Sequence, residues 1–289
     1  MVEVIPLKYG ATFKRIFSQP DVFCQFVYDV LGITIHIDLV HTEYEYPEPI
    51  GFVKTKYDLF AEDEEQRIIV EIQNVKEEDF FDRFLYYHLI SLAEQVKGYD
   101  VYRFDRTVYT IVVLTSVPRN QSVDFSVAVS DMNPISEFDR KVEIYPHRLI
   151  FLTPRLVSDR TPKGVKAWLE LIADSLDRQV NETDYSSPLF QKIISDIKST
   201  TISPEEASEI KDEAAWELAQ ERFAREARED GFEEGRTEGH EQGRKEGHKE
   251  AVEGIALAML QRGVEVMLIV EVTGLKPEEI NQLKMEEMK

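Results

Sequence analysis

The sequence predicts an α/β protein, a mixed sheet flanked by helices and followed by a helical C-terminal region. Short runs rich in Ile, Val, Tyr and Phe recur at residues 56–60, 67–73 and 107–115, as strands would. Stretches with helical spacing lie between them, and after residue 200 strand-like segments give way to charged sequence. With 289 residues, 43% hydrophobic and 10% aromatic, the chain can bury one sizeable core and a second, smaller unit.

Each element has its own signal. Pro20 and Asp21 open a helix that runs to Leu31 and stops at Gly32. Residues 33–46 alternate as a strand. Residues 56–60 and 67–73 form a hairpin across the acidic turn at 61–66. Residues 79–97 read as one helix closed by Gly98, with Phe81, Leu85, Leu89, Leu92 and Val96 toward a core and Arg83, Tyr87, Glu94 and Gln95 along another edge. Residues 107–115 are the clearest buried strand and belong at the centre of the sheet. Residues 123–129, 142–145 and 149–152 alternate as edge strands do. Residues 163–199 turn helical, with Trp168, Leu169, Leu171, Ile172 and Leu176 forming a stripe that packs on the domain. The first domain therefore spans residues 1–200.

The hairpin carries the chemistry. Antiparallel pairing brings Asp58 on one strand close to Glu71 on the other, and alternation puts Glu71 and Gln73 on one face, with Val70 and Ile72 toward a core. The plain reading makes both acids solvent-face residues of a half-buried hairpin. The flanks argue against it. Ile68, Ile69, Val70 and Ile72 form the nearly continuous apolar run of a strand covered on both faces, where a carboxylate is desolvated and needs a partner. A hard divalent ion such as Mg²⁺, or Mn²⁺ or Ca²⁺ in its place, satisfies two carboxylates together with a main-chain carbonyl and waters. Such an ion also activates water and neutralises charge on a phosphate. Arg83 reads either as a phosphate clamp or as a surface partner of Asp79 or Asp82. Tyr86 and Tyr87 read as core residues, with Tyr87 also a candidate contact to DNA.

These residues together resemble the PD-(D/E)XK nuclease superfamily, and within it the recombination-promoting nuclease and transposase family. The likeness covers most of residues 6–115. It runs through the opening helix at 12–17, Asp58, Glu71 with Gln73, Arg83 with Tyr86 and Tyr87, and residues 95–98. It implies a metal-dependent DNA endonuclease with Asp58 and Glu71 as metal ligands and Gln73 in the place of the superfamily's catalytic lysine. A neutral amide can orient the attacking water but supplies no positive charge beside the scissile phosphate, so a slow or conditional enzyme is expected. Lys54 and Lys56, near Asp58 in sequence, are candidates to replace that lysine in space and to bind phosphate. Gly10 is a second departure, because the family usually shows an acid three residues before the Phe13–Lys14 pair.

Composition sets limits. A net charge of −21 weighs against a nucleic-acid enzyme, since backbone affinity comes largely from Lys and Arg. Residues 1–200 hold 22 basic and 32 acidic side chains and residues 201–289 hold 12 and 23, so the last third carries about half of the deficit. A basic groove drawn from Lys54, Lys56, Lys76, Arg83 and Lys97 remains open to the first domain. A lone Cys24 excludes an internal disulfide and fits a reducing cytoplasm. The start of the chain does not read as a signal peptide and no run reaches a membrane span, so a soluble cytoplasmic protein with no membrane partner and no small-molecule cofactor is expected.

Residues 201–250 form the second unit. Ser203 and Glu206 make a capping box with Pro204 at the first helical position. Gly231, Gly235, Gly239, Gly243 and Gly247 then recur every fourth residue, at a cost of roughly 1 kcal/mol each in a helix. A bare glycine stripe suits close helix pairing, while the charged residues between suit a flexible linker. His240 and His248 imply no third metal ligand. Residues 251–289 read as three short helices resembling a helix-turn-helix, though their acids favour a packing or dimerising bundle over a DNA reader. The family resemblance extends to this tail and implies a homodimer joined through it. Three functions follow. They are an endonuclease acting in recombination, transposition or defence against mobile elements and phage, a weak or inactive nuclease-fold scaffold, and a DNA-binding accessory factor of transposition.

Overall fold

The computed structural model describes residues 1–47, 54–74, 80–96, 102–116 and 123–287. Lys76, Asp79, Lys97 and Gly98, all named above, lie outside them. The chain divides into two compact units, residues 1–217 and 218–289.

In the first unit the strands are β1 (Val2–Glu3), β2 (His41–Tyr44), β3 (Tyr57–Glu62), β4 (Gln66–Gln73), β5 (Thr107–Leu114), β6 (Val127–Asp131), β7 (Arg148–Leu152) and β8 (Gln179–Val180). The helices are α1 (Gly10–Phe17), α2 (Pro20–Leu31), α3 (Phe80–Ala93), α4 (Lys163–Ser175), α5 (Pro188–Asp196) and the start of α6 (Pro204–Gln261). The main sheet has the order β2-β3-β4-β5-β7-β6. β3 is antiparallel to β2 and β4, whereas β4, β5 and β7 run parallel and β6 returns antiparallel to β7. A mixed sheet flanked by helices is therefore present, with the 107–115 strand at its centre.

Period-two alternation divides the sheet's apolar side chains between two layers. Leu59, Ala61, Ile68, Val70, Ile111, Val113, Ile150 and Leu152 face the core shared with α1, α2, α4 and α5. Phe60, Ile69, Val108, Val112, Leu114, Leu149 and Phe151 face the side that carries α3. Trp168, Leu169, Leu171 and Ile172 are fully buried, as the stripe predicts.

Four expectations shift. Strand structure in 33–46 is confined to His41–Tyr44. Residues 142–145 form no strand, and β7 lies inside the sheet, where its Leu149–Leu152 run is buried on both faces, leaving β6 at the edge. In α3 the buried line runs through Phe84, His88, Ser91 and Leu92, leaving Leu85 and Leu89 41% and 45% exposed. Aromatic and hydrogen-bonding side chains on the opposite stripe have partners in the sheet, and these outweighed leucine content. Gln95 exchanges hydrogen bonds with the Arg106 main chain, and Arg67 is a buried cation satisfied by Glu62, Glu94, the Tyr46 hydroxyl and the Ser91 carbonyl. These are structural clamps.

His88 is the second polar group in that layer. It is fully buried, with Nδ1 2.9 Å from Thr110 Oγ1. Burial, helped by the charge of His147, pushes its pKa from 6.5 down to about 4. The unfolded chain takes up the proton first as pH falls, so the fold loses stability between pH 6.5 and 4, by about 3 kcal/mol in all. Urea unfolding at pH 7 and pH 4.5 should show a smaller drop for His88→Gln than for the unaltered protein. Equal drops would contradict this.

In the second unit, α6 continues helically through all five stripe glycines to Gln261, so no separate helix begins near residue 251. A Cβ added at any of the five glycines would meet nothing within 4 Å. Helices α7 (Val266–Thr273) and α8 (Pro277–Glu287) pack Ile269 and Ile280 on Ala256, and Gly274 takes the left-handed conformation (φ 73°) that ends α7.

Candidate active site

The β3–β4 ladder ends at Leu59 opposite Val70, and one step further the carboxylates take over. The Asp58 main-chain N–H donates to Glu71 Oε1 (3.2 Å), and the Ile72 N–H donates to Asp58 Oδ2 (3.0 Å). Each strand thus holds the other's acid at the point where the strands part. Glu71 is 5% exposed and Asp58 is half-buried. Burial, then the charge of Asp58, pushes the Glu71 carboxyl well above its usual range. Burial also raises Asp58, against the pull of the Ile72 N–H and the positive charge of Lys14. At both acids the fold disfavours the ionised form and does not by itself compensate the charge.

Gln73 lies two residues along β4, on the face of Glu71, and is 5% exposed. Its Oε1 accepts a hydrogen bond from Arg83 Nη2, and its carbonyl accepts from the Thr115 N–H (3.0 Å) and hydroxyl (3.1 Å). The Arg83 guanidinium also lies 4.8 Å from the centre of the Phe84 ring. The half-buried Tyr87 packs edge-on against Tyr57 and Phe84, and its carbonyl accepts from the Tyr57 hydroxyl. Lys54 is exposed, and the side chain of Lys56, 51% exposed, reaches out to Glu43. The structure thus gathers Asp58, Glu71, Gln73 and Arg83, sets the ring of Tyr87 in an aromatic cluster, and leaves the two lysines on the surface.

Two residues at this site, Glu43 and Glu213, escaped the sequence reading. Glu43 in β2 sits at φ 54°, left-handed backbone that non-glycine residues avoid, between the paired positions Thr42–Leu59 and Tyr44–Tyr57. Its carboxylate takes both Lys14 and Lys56, which hold its pKa down to about 2. Glu213 arrives from α6, its Oε2 accepting the Gly10 N–H at 2.9 Å. Burial raises the Glu213 carboxyl, with Asp58 adding to the rise while the Gly10 N–H and Lys14 oppose it. A carboxylate therefore stands at Gly10 although residue 10 has no side chain. Glu206 and Glu217 dock the same helix on Arg15 and Lys8. The Ser203 Oγ caps the Glu206 N–H (3.1 Å), but the Glu206 carboxylate goes to Arg15 rather than back to Ser203. A contact 203 residues apart in sequence leaves no local signal.

The fold is that of a PD-(D/E)XK domain, and comparison with known proteins agrees. The model of the PD-(D/E)XK nuclease family transposases matches residues 10–223, and the chain belongs to that family. Residues 249–285 match the C-terminal HTH domain of the Rpn/YhgA-like nuclease family. This agrees with the helix-turn-helix resemblance of the tail. The acids of α8 weighed against a DNA reader, but α7, the Gly274 turn and α8 supply the helix–turn–helix frame. No curated protein and no solved structure matches the chain.

Nucleases of this superfamily generally use divalent metals. Among the described residues no group of three or more His, Cys, Asp and Glu is placed to hold a metal ion. Two buried, mutually repelling carboxylates nevertheless suit a hard ion that keeps most of its waters. No helix among the described residues is long and apolar enough to cross a membrane.

Proposed function

We propose that the protein is a metal-dependent DNA endonuclease, with Asp58 and Glu71 as the ligands of Mg²⁺ and Gln73 as the group that orients the attacking water. The observation that carries this reading is the exchange of carboxylate hydrogen bonds across the parting strands. It fixes both acids side by side on rigid β-structure. Bound there, the ion would lower the pKa of water and offset charge on the phosphate. Asp58 and Glu71 hold the position. Gln73, its Oε1 engaged by Arg83, keeps one orientation on the strand face of Glu71. Arg83, Lys54, Lys56 and Tyr87 line the approach for DNA. The HTH tail holds duplex DNA and two chains join through their C-terminal helices, which makes up for the acidic surface and allows cuts on both strands. A cytoplasmic role in recombination, transposition or defence against mobile elements fits the family.

Incubation of supercoiled plasmid with the full chain tests this. With Mg²⁺ the plasmid should be nicked and linearised, and chelator or Asp58→Ala should stop cleavage while circular dichroism stays unchanged. A folded, metal-supplied wild type that leaves the plasmid intact would favour the scaffold reading instead.

A further inference from the structure

Hydrolysis of a phosphodiester adds the oxygen of water to phosphorus and breaks one P–O bond. One proton of the water ends on the leaving oxygen and the other in solvent. Negative charge grows on the phosphoryl oxygens and the leaving oxygen, and a fixed cation beside them lowers the barrier. Gln73, where such a cation is expected, is neutral.

Among the described residues, the cations near the site are mostly committed elsewhere. Arg15 is held by Glu206 and the Asp196 carbonyl, Lys8 by Glu217, and Arg83 by Gln73. Lys56 extends along the surface. Lys14 is paired as well, with Glu43, but its placement differs from these. It sits on α1 with its side chain 19% exposed, and α1 carries Phe13, Ile16 and Phe17 into the core, which fixes the direction of the lysine. Its positive charge opposes the rise of both the Asp58 and the Glu213 carboxyls. Its Cε lies 3.9 Å from where a Cβ of residue 10 would stand, beside Glu213 Oε2 at 3.8 Å. Its ammonium is seated by Glu43, the residue in left-handed backbone next to Asp58's row of the sheet. Backbone strain at a site is maintained only where surrounding contacts over-determine it, and here those contacts are two lysines on one carboxylate.

We infer that Lys14 is the cation of the catalytic centre, placed over the Asp58 end to meet the scissile phosphate where the neutral Gln73 cannot, and that Glu43 is the residue that positions it. This rests on the nuclease reading above. Lys14 donates hydrogen bonds throughout and gives up no proton. The phosphate takes over part of the ammonium that Glu43 holds in the free protein.

Single-turnover cleavage of a labelled duplex with excess full-length protein and Mg²⁺ tests it, with the duplex Kd and the Mg²⁺-induced shift in Tm measured alongside. Lys14→Gln should lower the cleavage constant about 10²-fold with both other readouts unchanged, the order that loss of one preorganised charge-stabilising group costs. Lys14→Gln combined with Gln73→Lys should regain at least a tenth of the rate, roughly, because a lysine at 73 returns the cation to the face of Glu71. Wild-type cleavage by Lys14→Gln overturns the inference and leaves the nuclease intact. A loss that follows weaker duplex binding or unfolding, or one that the second lysine does not restore, overturns it also. A wild type that cuts nothing contradicts the nuclease reading and this inference with it.

Discussion

Glu71→Gln is expected to abolish cleavage and, in chelator at neutral pH, to make the protein more stable. The Glu71 carboxyl is raised by burial and by the neighbouring charge of Asp58. In the unfolded chain it ionises at its ordinary value, so the fold loses stability as pH rises above that value toward the raised one. At neutral pH the unaltered protein therefore bears a cost that an uncharged amide of the same shape does not. Oε1 of the glutamine still accepts the Asp58 N–H, so the hairpin end is preserved. In the proposed reading a divalent ion would remove the same cost in the unaltered protein, and Mg²⁺ should raise its Tm well above that of the protein in chelator. The variant should show no such rise. Cleavage should fall more than about 10²-fold, as when a group that stabilises transition-state charge is lost. Differential scanning fluorimetry with Mg²⁺ and with chelator reads the first effect. A variant less stable than wild type in chelator would contradict the account of the buried pair.

Trp168→Ala carries the largest expected effect on stability. The indole is fully buried, its Nε1 donates to Asp29 Oδ2 at 2.7 Å, and its ring meets Phe26 and Phe190 edge-on at 5.2 and 4.9 Å. It joins α4 to α2 and α5 on the face of the sheet that also carries α1. Truncation leaves a cavity and takes away the partner of Asp29 Oδ2, while Oδ1 keeps its hydrogen bond from Gln25, at a cost of about 3–5 kcal/mol. That is a large part of the total of about 5–15 kcal/mol that domains have. Urea unfolding followed by circular dichroism should show the midpoint collapse, with Trp168→Phe losing far less. Because α1 shares this core, DNA cleavage should decline with the folded fraction and not ahead of it.

The hairpin was legible because its signal is local. Asp58, Glu71 and Gln73 lie within sixteen residues, the apolar run from Ile68 marks a covered strand, and the acidic turn fixes the pairing. The central strand, the Trp168 stripe and the Ser203 cap at the start of α6 were equally local. The edge of the sheet was not. β7 reads as an alternating edge strand and becomes interior only because β6 folds outside it, a matter of topology. In α3 leucine spacing pointed one way and the side chains with sheet partners, Phe84 and His88, pointed another. The same limit applies to the charge around the site. Lys14 is visible in the first helix, but its partner Glu43 depends on a backbone angle, and Glu213 comes from a helix that starts about two hundred residues later.

The most direct test of the central claim is single-turnover cleavage of duplex DNA by the wild type and Glu71→Gln side by side, in Mg²⁺ and in chelator. The account predicts cleavage by the wild type in Mg²⁺ alone and none by the folded variant. Cleavage by the variant at the wild-type rate, or by the wild type in chelator, would contradict a nuclease centred on Asp58 and Glu71.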